Sequence, residues 1–156
     1  MEIGIQRASI EDKSIFRNLM ELCQHDYSEF GGEDVNEHGI FGYRYLDHYW
    51  TEPGRHPFII KVSGKLAGLA LVRAIDEDTH SIAEFFIMRK YRRQGVGQTV
   101  AHRIFDMFPG KWRIAQEEGN LPAQVFWRKV ISRYTNGDFE DVQDDDWEGP
   151  VQEFRT

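Results

Sequence analysis

Residues 82–108 change from one hydrophobic period to another within a short stretch, and they constrain the fold more than any other part of the chain. Residues 82–88 are apolar at every position except Glu84. So dense an apolar run is typical of a β-strand that is covered on both faces. From Gly97 to Phe108 the apolar residues recur at intervals of three and four, which predicts one face of an α-helix, and Pro109 and Gly110 end it.

The loop between strand and helix, Arg92-Arg93-Gln94-Gly95-Val96-Gly97, has the features of an anion-binding site. The first turn of a helix has unpaired N–H groups and a partial positive charge, so it attracts phosphate. The two glycines have no Cβ to obstruct an anion, and the two arginines add full charges. The loop lacks the third glycine of a dinucleotide fingerprint and the G-K-S/T of a Walker loop. A tight turn with solvated arginines is the alternative interpretation.

The same residues resemble the Q/R-x-x-G-x-G/A signature of the GNAT N-acetyltransferases, which also follows a hydrophobic strand. The resemblance implies that the loop binds the pyrophosphate of acetyl-CoA, the cosubstrate of that family. The positions implied are Arg92, Arg93, Gln94, Gly95, Val96, Gly97 and Gln98. It also implies that the splayed end of the strand, at Phe85, Phe86 and Ile87, pairs with the pantetheine arm of the cofactor.

A helical segment near the C-terminus is similar to a second part of these enzymes. Asn120-x-x-Ala123-x-x-Phe126-Trp127 looks like the family's N-x-x-A-x-x-F/Y-Y segment, whose asparagine contacts pantetheine and whose last tyrosine often protonates the departing thiolate. The resemblance therefore implies cofactor contacts for Asn120, Phe126 and Trp127. Trp127 stands at the tyrosine position, and an indole N–H is not a general acid near neutral pH. Tyr134 is a further catalytic candidate on the same face, although seven helical residues span ~10.5 Å.

The rest of the chain predicts a regular succession of elements. The predicted strands are residues 2–7, 57–62, 66–74, the run at 82, 112–116, 139–142 and 151–154, and the predicted helices lie within 12–30, 40–50, 97–108 and after Asn120. The acidic residues 144–146 are expected to form a solvated turn. This order resembles the acetyltransferase topology along residues 1–156, taken as a single domain. The expected fold is α/β (α+β), a mixed central sheet of about seven strands flanked by about four helices.

Composition excludes several classes of protein. The single cysteine, Cys23, excludes an internal disulfide framework and lies on an apolar helical stripe, as a core thiol would. No apolar run approaches the ~18 residues of a membrane span, and no segment resembles a signal peptide. The net charge of −7 argues against binding to nucleic acid. We therefore expect a cytoplasmic protein, a monomer or a homodimer, without a metal site.

The resemblance implies direct transfer of an acetyl group from acetyl-CoA to an amine of a small molecule or peptide. A primary amine is protonated near pH 7 and must lose a proton before it attacks. Glu84 is the leading base candidate, because it is the one carboxylate inside the apolar strand and burial raises a carboxyl pKa. The alternative roles for Glu84 are a buried ion pair with an arginine, or a residue at a partly open end of the strand. The resemblance also implies that the N–H near Ile87 stabilises the oxyanion.

Two further expectations concern the acceptor and the activity. In the resembling fold, the segment between the first two helices shapes the acceptor site, so its acidic residues are candidates for attracting an amine and its tyrosines for the walls. These residues are Glu29, Glu33, Asp34 and Glu37 with Tyr43 and Tyr45, and an exposed acidic loop beside ordinary core aromatics explains them equally well. Trp127 also leaves open a second function, a non-catalytic acyl-CoA-binding module.

We predict that Gly97→Trp abolishes acetyl-CoA binding and leaves the fold largely intact, because a large side chain would block the approach of the pyrophosphate to the backbone. Titration calorimetry with acetyl-CoA measures the affinity, and circular dichroism measures the fold. An affinity equal to that of the wild-type protein would contradict the assignment of this loop.

Overall fold

Seven strands and four helices make up the protein, and the computed structural model describes all of residues 1–156. The strands are β1 (Ile3–Arg7), β2 (Arg55–Val62), β3 (Lys65–Ala74), β4 (Thr79–Ile87), β5 (Lys111–Ala115), β6 (Glu140–Asp144) and β7 (Trp147–Arg155). The helices are α1 (Lys13–Gly31), α2 (His48–Thr51), α3 (Val96–Met107) and α4 (Leu121–Thr135). One mixed sheet in the order β1-β2-β3-β4-β5-β7-β6 confirms the predicted fold class and succession of elements.

Short-range sequence signals set most of the element ends. The Ser9 N–H donates to the Asp12 carboxylate at 2.9 Å ahead of α1, and Gly32 ends that helix in the left-handed conformation. Asn120 caps α4, since its side-chain oxygen accepts the Ala123 N–H at 3.1 Å. These contacts join residues only a few positions apart, and the sequence alone predicts them.

The sheet separates two apolar cores. Alternate residues of β3 enter opposite cores: Leu69 and Leu71 pack under α1 and α2, while Ala70 and Val72 pack under α3 and α4. All of them are fully buried, which explains why β3 is apolar at consecutive positions. The two cores hold the helices on both faces and leave the middle of the sheet as a rigid support.

The central feature of the sheet is the divergence of β4 from β5. The two strands run parallel and pair only through Thr79 with Lys111 and His80 with Trp112. Farther along β4, a bulge interrupts the pairing with β3, and Ala83 is the residue left without a partner. Because the bulge bends β4, a gap opens between the two strands over the second half of β4.

Several strands extend beyond their predicted bounds, and β4 and β7 do so by the most residues. β4 begins at Thr79, and β7 begins at Trp147 rather than at 151. Gly149 and Pro150 resemble a break in the sequence, yet a Cβ at Gly149 would overlap the Gln116 carbonyl, and the Gln116 N–H donates to the Pro150 carbonyl at 3.0 Å. A close approach of two backbones, rather than a turn, explains this glycine.

The acidic residues 144–146 are not all solvated, so this expectation is corrected. Asp144 belongs to β6 and pairs with Arg113 of β5 at 2.7 Å, which ties the final hairpin to the centre of the sheet. No helix of the protein has the length and the apolar character needed to cross a lipid bilayer.

Candidate active site

A cavity of about 770 Å³ lies where β4 and β5 diverge. Glu84 and Phe85 of β4 face Ile114 and neighbouring residues of β5 across it. One wall carries tyrosines from α1, α2 and the segment before α2, and the other carries the turn between β6 and β7. The residues of these two walls are Tyr27, Tyr43, Tyr45 and Tyr49, and Asp144, Asp146 and Trp147. Tyr43 and Tyr45, the tyrosines predicted as possible walls of the acceptor site, both line this cavity.

Glu84 is a half-buried carboxyl in this cavity. Burial raises its pKa from 4.5 to about 8, and the negative charge of Glu117 adds to the rise. It opposes Leu71 across the ladder and therefore projects to the face of the sheet that α1 and α2 cover. No arginine forms an ion pair with Glu84. The arrangement favours a proton acceptor with a pKa near neutral pH over a structural ion pair.

Backbone N–H groups of β4 point into the gap. The Met88 N–H donates to the Ala67 carbonyl of the β3 side at 2.8 Å. Since N–H directions alternate along a strand, the Ile87 and Phe85 N–H groups point the other way, toward β5. β5 does not pair with β4 at these positions, so both donors are free.

The carbonyl groups on the same edge of β4 are both occupied. Arg92 donates from Nε to the Ile87 carbonyl at 2.7 Å, and the Tyr27 hydroxyl donates to the Phe85 carbonyl at 2.6 Å. With the acceptors paired and the donors free, this edge of β4 presents mainly positive partial charge to the gap. Such an edge suits the oxygen of a carbonyl or an oxyanion.

The loop before α3 offers a second set of free donors. None of the six consecutive N–H groups of residues 93–98 donates a hydrogen bond within the protein, and the first helical bond runs from the Thr99 N–H to the Gly95 carbonyl at 3.1 Å. Arg93 and Gly95 have positive φ values of 62° and 80°. A backbone that alternates in this way turns successive N–H groups into a concave anion site.

Arg92 fastens this loop to the body of the protein. Its guanidinium forms an ion pair with Asp26 of α1 and lies 5.7 Å from the Phe86 ring centre, while Arg89 pairs with the same carboxylate at 2.9 Å. Asp26 has a lowered pKa because these two arginines outweigh its partial burial. Arg92 and Phe86 therefore hold the strand end and the loop in place from the α1 side, away from the free N–H groups.

The other polar side chains of the loop differ in whether they have a hydrogen-bond or ion-pair partner within the protein. The Gln94 side chain donates to the Lys90 carbonyl at 3.1 Å, and the Gln98 side chain accepts from Arg133 at 2.8 Å. Arg93 is exposed and has no ion-pair or hydrogen-bond partner. It is the charged side chain of the loop that is available to an anion.

An apolar path connects the loop to the cavity. A Cβ added to Gly97 would come within 2.9 Å of the Phe126 ring, so the ring rests directly on this glycine. The expectation that Gly97→Trp leaves the fold largely intact is therefore corrected, because a large side chain there would displace Phe126 from α3. Phe126 in turn lies 5.8 Å from Phe85 and 5.0 Å from Trp127, centre to centre. Val96 is buried in the core and only supports the loop. The structure therefore brings these predicted cofactor positions together along one line.

Asn120 and Trp127 line the cavity, and both are buried. The side-chain oxygen of Asn120 is used to cap α4, whereas its Nδ2 has no partner and can donate. Tyr134, by contrast, does not reach the cavity. The Tyr134 hydroxyl donates to Asp106 at 2.6 Å and its ring packs on Phe105, so Tyr134 lies in the contact between α3 and α4. Burial there raises the pKa of Tyr134 to about 12.

Tyr27 is the cavity residue that the sequence did not reveal as functional. It lies on the apolar stripe of α1 and, by pattern, belongs to the core, but its hydroxyl reaches the gap side of β4. Burial raises its pKa well above the usual value, so it carries its proton at neutral pH. Only its polar end, placed by the docking of α1 on β4, distinguishes it from a packing residue.

The predicted acidic residues divide between two places. Glu29, Glu33 and Asp34 line a separate, polar depression of about 410 Å³ beside the end of α1, and Glu37 lines neither cavity. Glu33 is nevertheless close enough to Glu117, at the main cavity, for its charge to raise the Glu117 pKa after partial burial. No group of three His, Cys, Asp or Glu side chains is placed to hold a metal ion.

Comparisons with known proteins agree with this geometry. The sequence model of the acetyltransferase (GNAT) family matches residues 16–131, whereas no curated protein matches the chain by sequence. An acetyltransferase from Thermus thermophilus superposes with a TM-score of 0.76 at 13% identity, covering 100% of this chain and 98% of its own. An aminoglycoside acetyltransferase in complex with coenzyme A superposes with a TM-score of 0.68 at 13% identity, covering 99% of this chain and 95% of its own. The ribosomal-protein-S18-alanine N-acetyltransferase from Escherichia coli superposes with a TM-score of 0.64 at 12% identity, covering 97% of this chain and 91% of its own.

Because the family model covers most of its length, the chain belongs to the GNAT acetyltransferase family. The resemblance drawn from the loop and the α4 segment is thereby confirmed, as is the enzyme class, an acetyltransferase that uses acetyl-CoA. The structural likeness at this low identity shows the fold alone.

We predict that Glu84→Gln makes the protein more stable than wild type at pH 8 and leaves it nearly equal at pH 4. The folded state holds the Glu84 pKa near 8, above the ordinary 4.5, so the unfolded chain ionises first and wild-type stability falls as pH rises between these values. Glutamine removes this proton linkage. Melting temperatures across the range measure the effect, with the exposed Glu77→Gln as control. A constant difference at all pH values would show that Glu84 has no raised pKa.

Proposed function

We propose that this enzyme transfers the acetyl group of acetyl-CoA directly to an amine of a small molecule or peptide. The observation that carries the proposal is the position of Glu84, an unpaired carboxyl with a pKa near 8, beside the free N–H edge of β4. The base and the acyl-binding edge occupy the same cavity, which a packing role alone does not require. The free thiol of Cys23, buried in the core, supports a cytoplasmic location.

Two separate sets of free N–H groups, one in the loop before α3 and one on the edge of β4, would bind two different parts of the cofactor. The N–H groups of residues 94–98 and the Arg93 guanidinium would bind the pyrophosphate. The pantetheine arm would run past Phe126 and Phe85, within reach of Asn120 Nδ2, into the gap. The thioester oxygen would then accept from the β4 edge, where the Ile87 N–H stabilises the negative charge that develops during attack.

The chemical step follows from these positions. The ammonium of the acceptor loses a proton to Glu84, and the neutral nitrogen attacks the thioester carbon. The tetrahedral oxyanion is held by the β4 donors, and its nitrogen, which is positively charged after the attack, loses its second proton to water. Collapse of the intermediate then breaks the C–S bond and releases the neutral amide and the coenzyme A thiolate. Expulsion of the thiolate becomes easier if a nearby group donates a proton to sulfur.

Tyr27 is the group we assign to that proton. Trp127 cannot donate one, and Tyr134 lies outside the cavity. The Tyr27 hydroxyl already lies at the gap edge of β4, on the Phe85 carbonyl, and it carries its proton at neutral pH. Burial raises its pKa and makes it a weaker acid, so the transfer requires prompt reprotonation of the phenolate. Transfer of this proton to the thiolate leaves a phenolate that is reprotonated by the proton held on Glu84 or by water.

We predict that Glu84→Gln lowers kcat/KM at least ~100-fold at pH 7.5, the scale of a general base. In the wild-type enzyme the pH profile of kcat/KM should rise near pH 8, where Glu84 ionises. In the variant this rise should be absent, and only the rise caused by deprotonation of the acceptor amine should remain. Thiol release from acetyl-CoA across a panel of amines provides the rates. Tight acetyl-CoA binding with no turnover of any amine would instead favour the acyl-CoA-binding module that Trp127 allows.

We predict that Tyr27→Phe lowers kcat by about 10–100-fold and leaves the KM for acetyl-CoA nearly unchanged. The ring keeps its packing, and the variant loses the proposed proton donor together with its hydrogen bond to the Phe85 carbonyl. Tyr134→Phe is the matched control and should retain wild-type turnover, since its hydroxyl contacts Asp106 outside the cavity. Steady-state kinetics of both variants provide the comparison. Equal turnover of Tyr27→Phe and wild type would assign the proton to water.

A further inference from the structure

One corner of the cavity contains three side chains that the acetyl transfer does not use, Arg55, Arg73 and Tyr49. Arg55 and Arg73 are direct partners across the β2–β3 ladder, so their side chains project from the same face of the sheet. Like charges directly opposite each other on one face repel. Glu52 pairs with Arg55 and offsets part of that repulsion, and an anion beside Arg73 would offset the rest. Both arginines line the cavity.

The arginines of the cavity differ in how far their charge is neutralised. Arg113 pairs with Asp144 at 2.7 Å and with Glu153 at 3.1 Å, and Arg55 pairs with Glu52 at 2.9 Å. Arg73 has no carboxylate within 4.0 Å and makes no side-chain hydrogen bond. It is the free guanidinium of the cavity.

Tyr49 gives a second, independent indication at the same corner. The residue is only 3% exposed, and its hydroxyl is buried without a hydrogen-bond partner. Arg55 lies 5.3 Å from its ring centre and near the hydroxyl, but not in hydrogen-bonding geometry. A buried hydroxyl normally has a partner. The charge of Arg55 lies close enough to oppose the rise of the Tyr49 pKa that burial causes, so the hydroxyl lacks only a well-aligned partner, which a bound polar group beside Arg55 would supply.

The charges are divided across the cavity, with Glu84 between them. The free cation lies on the β2–β3 side, whereas the carboxylates Glu117 and Asp146 lie on the side of β5 and the last hairpin. Glu84 opposes Leu71, and Arg73 follows two residues farther along β3 on the same face, so the two residues are neighbours on that face. This spacing fits a molecule whose amine and carboxylate are only a few bonds apart.

We propose that the acceptor is an amino acid or a similar amino-carboxylate. Its carboxylate binds between Arg73 and Arg55, with the Tyr49 hydroxyl as a neighbouring donor, and its amine faces Glu84. The inference rests on the proposed function and specifies its substrate class. A polycationic amine would place charge against Arg73, and a peptide N-terminus would have no carboxylate near its amine to bind there.

The test compares acceptors that differ only in the carboxylate. Thiol release is measured with the common L-amino acids, and L-phenylalanine and L-leucine are compared with their amides and their decarboxylated amines. We expect at least one amino acid to exceed its amide and its decarboxylated amine in kcat/KM by about tenfold or more, equivalent to 1.4 kcal/mol. The amine of an amide is less basic and more often neutral, so this difference in basicity opposes the expected result.

Variants of the corner residues then test whether Arg73 and Tyr49 cause the preference for the amino acid. Arg73→Gln should raise the KM for the amino acid about tenfold or more and leave the amide and the decarboxylated amine within about twofold. Lys65→Gln, an exposed charge at the start of the same strand, is the control and should change neither. Tyr49→Phe should weaken the preference without lowering the melting temperature, because the hydroxyl makes no bond in the free protein.

The outcomes separate this inference from the proposed function. Equal turnover of amino acids, amides and amines, or a preference for polyamines, would overturn the inference and leave acetyl transfer to amines intact. If no amine releases thiol, the proposed function fails, and calorimetry of the same amino acids with the coenzyme A-loaded protein decides the inference. Absence of binding, or binding that Arg73→Gln does not weaken, would overturn it.

Discussion

The divergence of β4 from β5 is the constraint on which the site depends. Two parallel strands in a sheet normally satisfy each other's backbone groups along their whole length. Here the pairing stops after Thr79 and His80, and the bulge at Ala83 bends β4 away. The unpaired edge would be costly in a sealed core. It persists because the cavity keeps it open, and because Arg92 and Tyr27 satisfy its two carbonyls.

The two apolar cores make this gap rigid. β3 is buried on both faces and holds β4 through the bulge, while α1 on one face and α4 on the other carry side chains to the rim of the gap. Tyr27 comes from one helix, and Asn120 and Trp127 come from the other. The site is therefore assembled from the two faces of one sheet, which places the proposed cofactor path and the proposed acceptor site on opposite sides of β4.

Charge has distinct roles in different parts of the molecule. In the loop before α3 the available positive charge comes mainly from backbone N–H groups, since Arg92 is neutralised by Asp26 and only Arg93 is free. In the cavity Glu84 is kept largely neutral by burial, which suits a group that accepts and releases a proton near neutral pH. The acidic composition of the chain as a whole, at −7, says little about either place.

The sequence by itself determined the elements and their order, and it predicted the anion-binding loop and Glu84 as the base, because periodicity, caps and glycine turns depend on residues a few positions apart. Only the tertiary structure decided what meets in space. It placed Tyr27 in the gap and Tyr134 outside it, tied Arg92 to Asp26, and set Arg55 opposite Arg73. These positions follow from strand register, one bulge and helix docking, which join residues far apart in the chain and leave no local pattern in it.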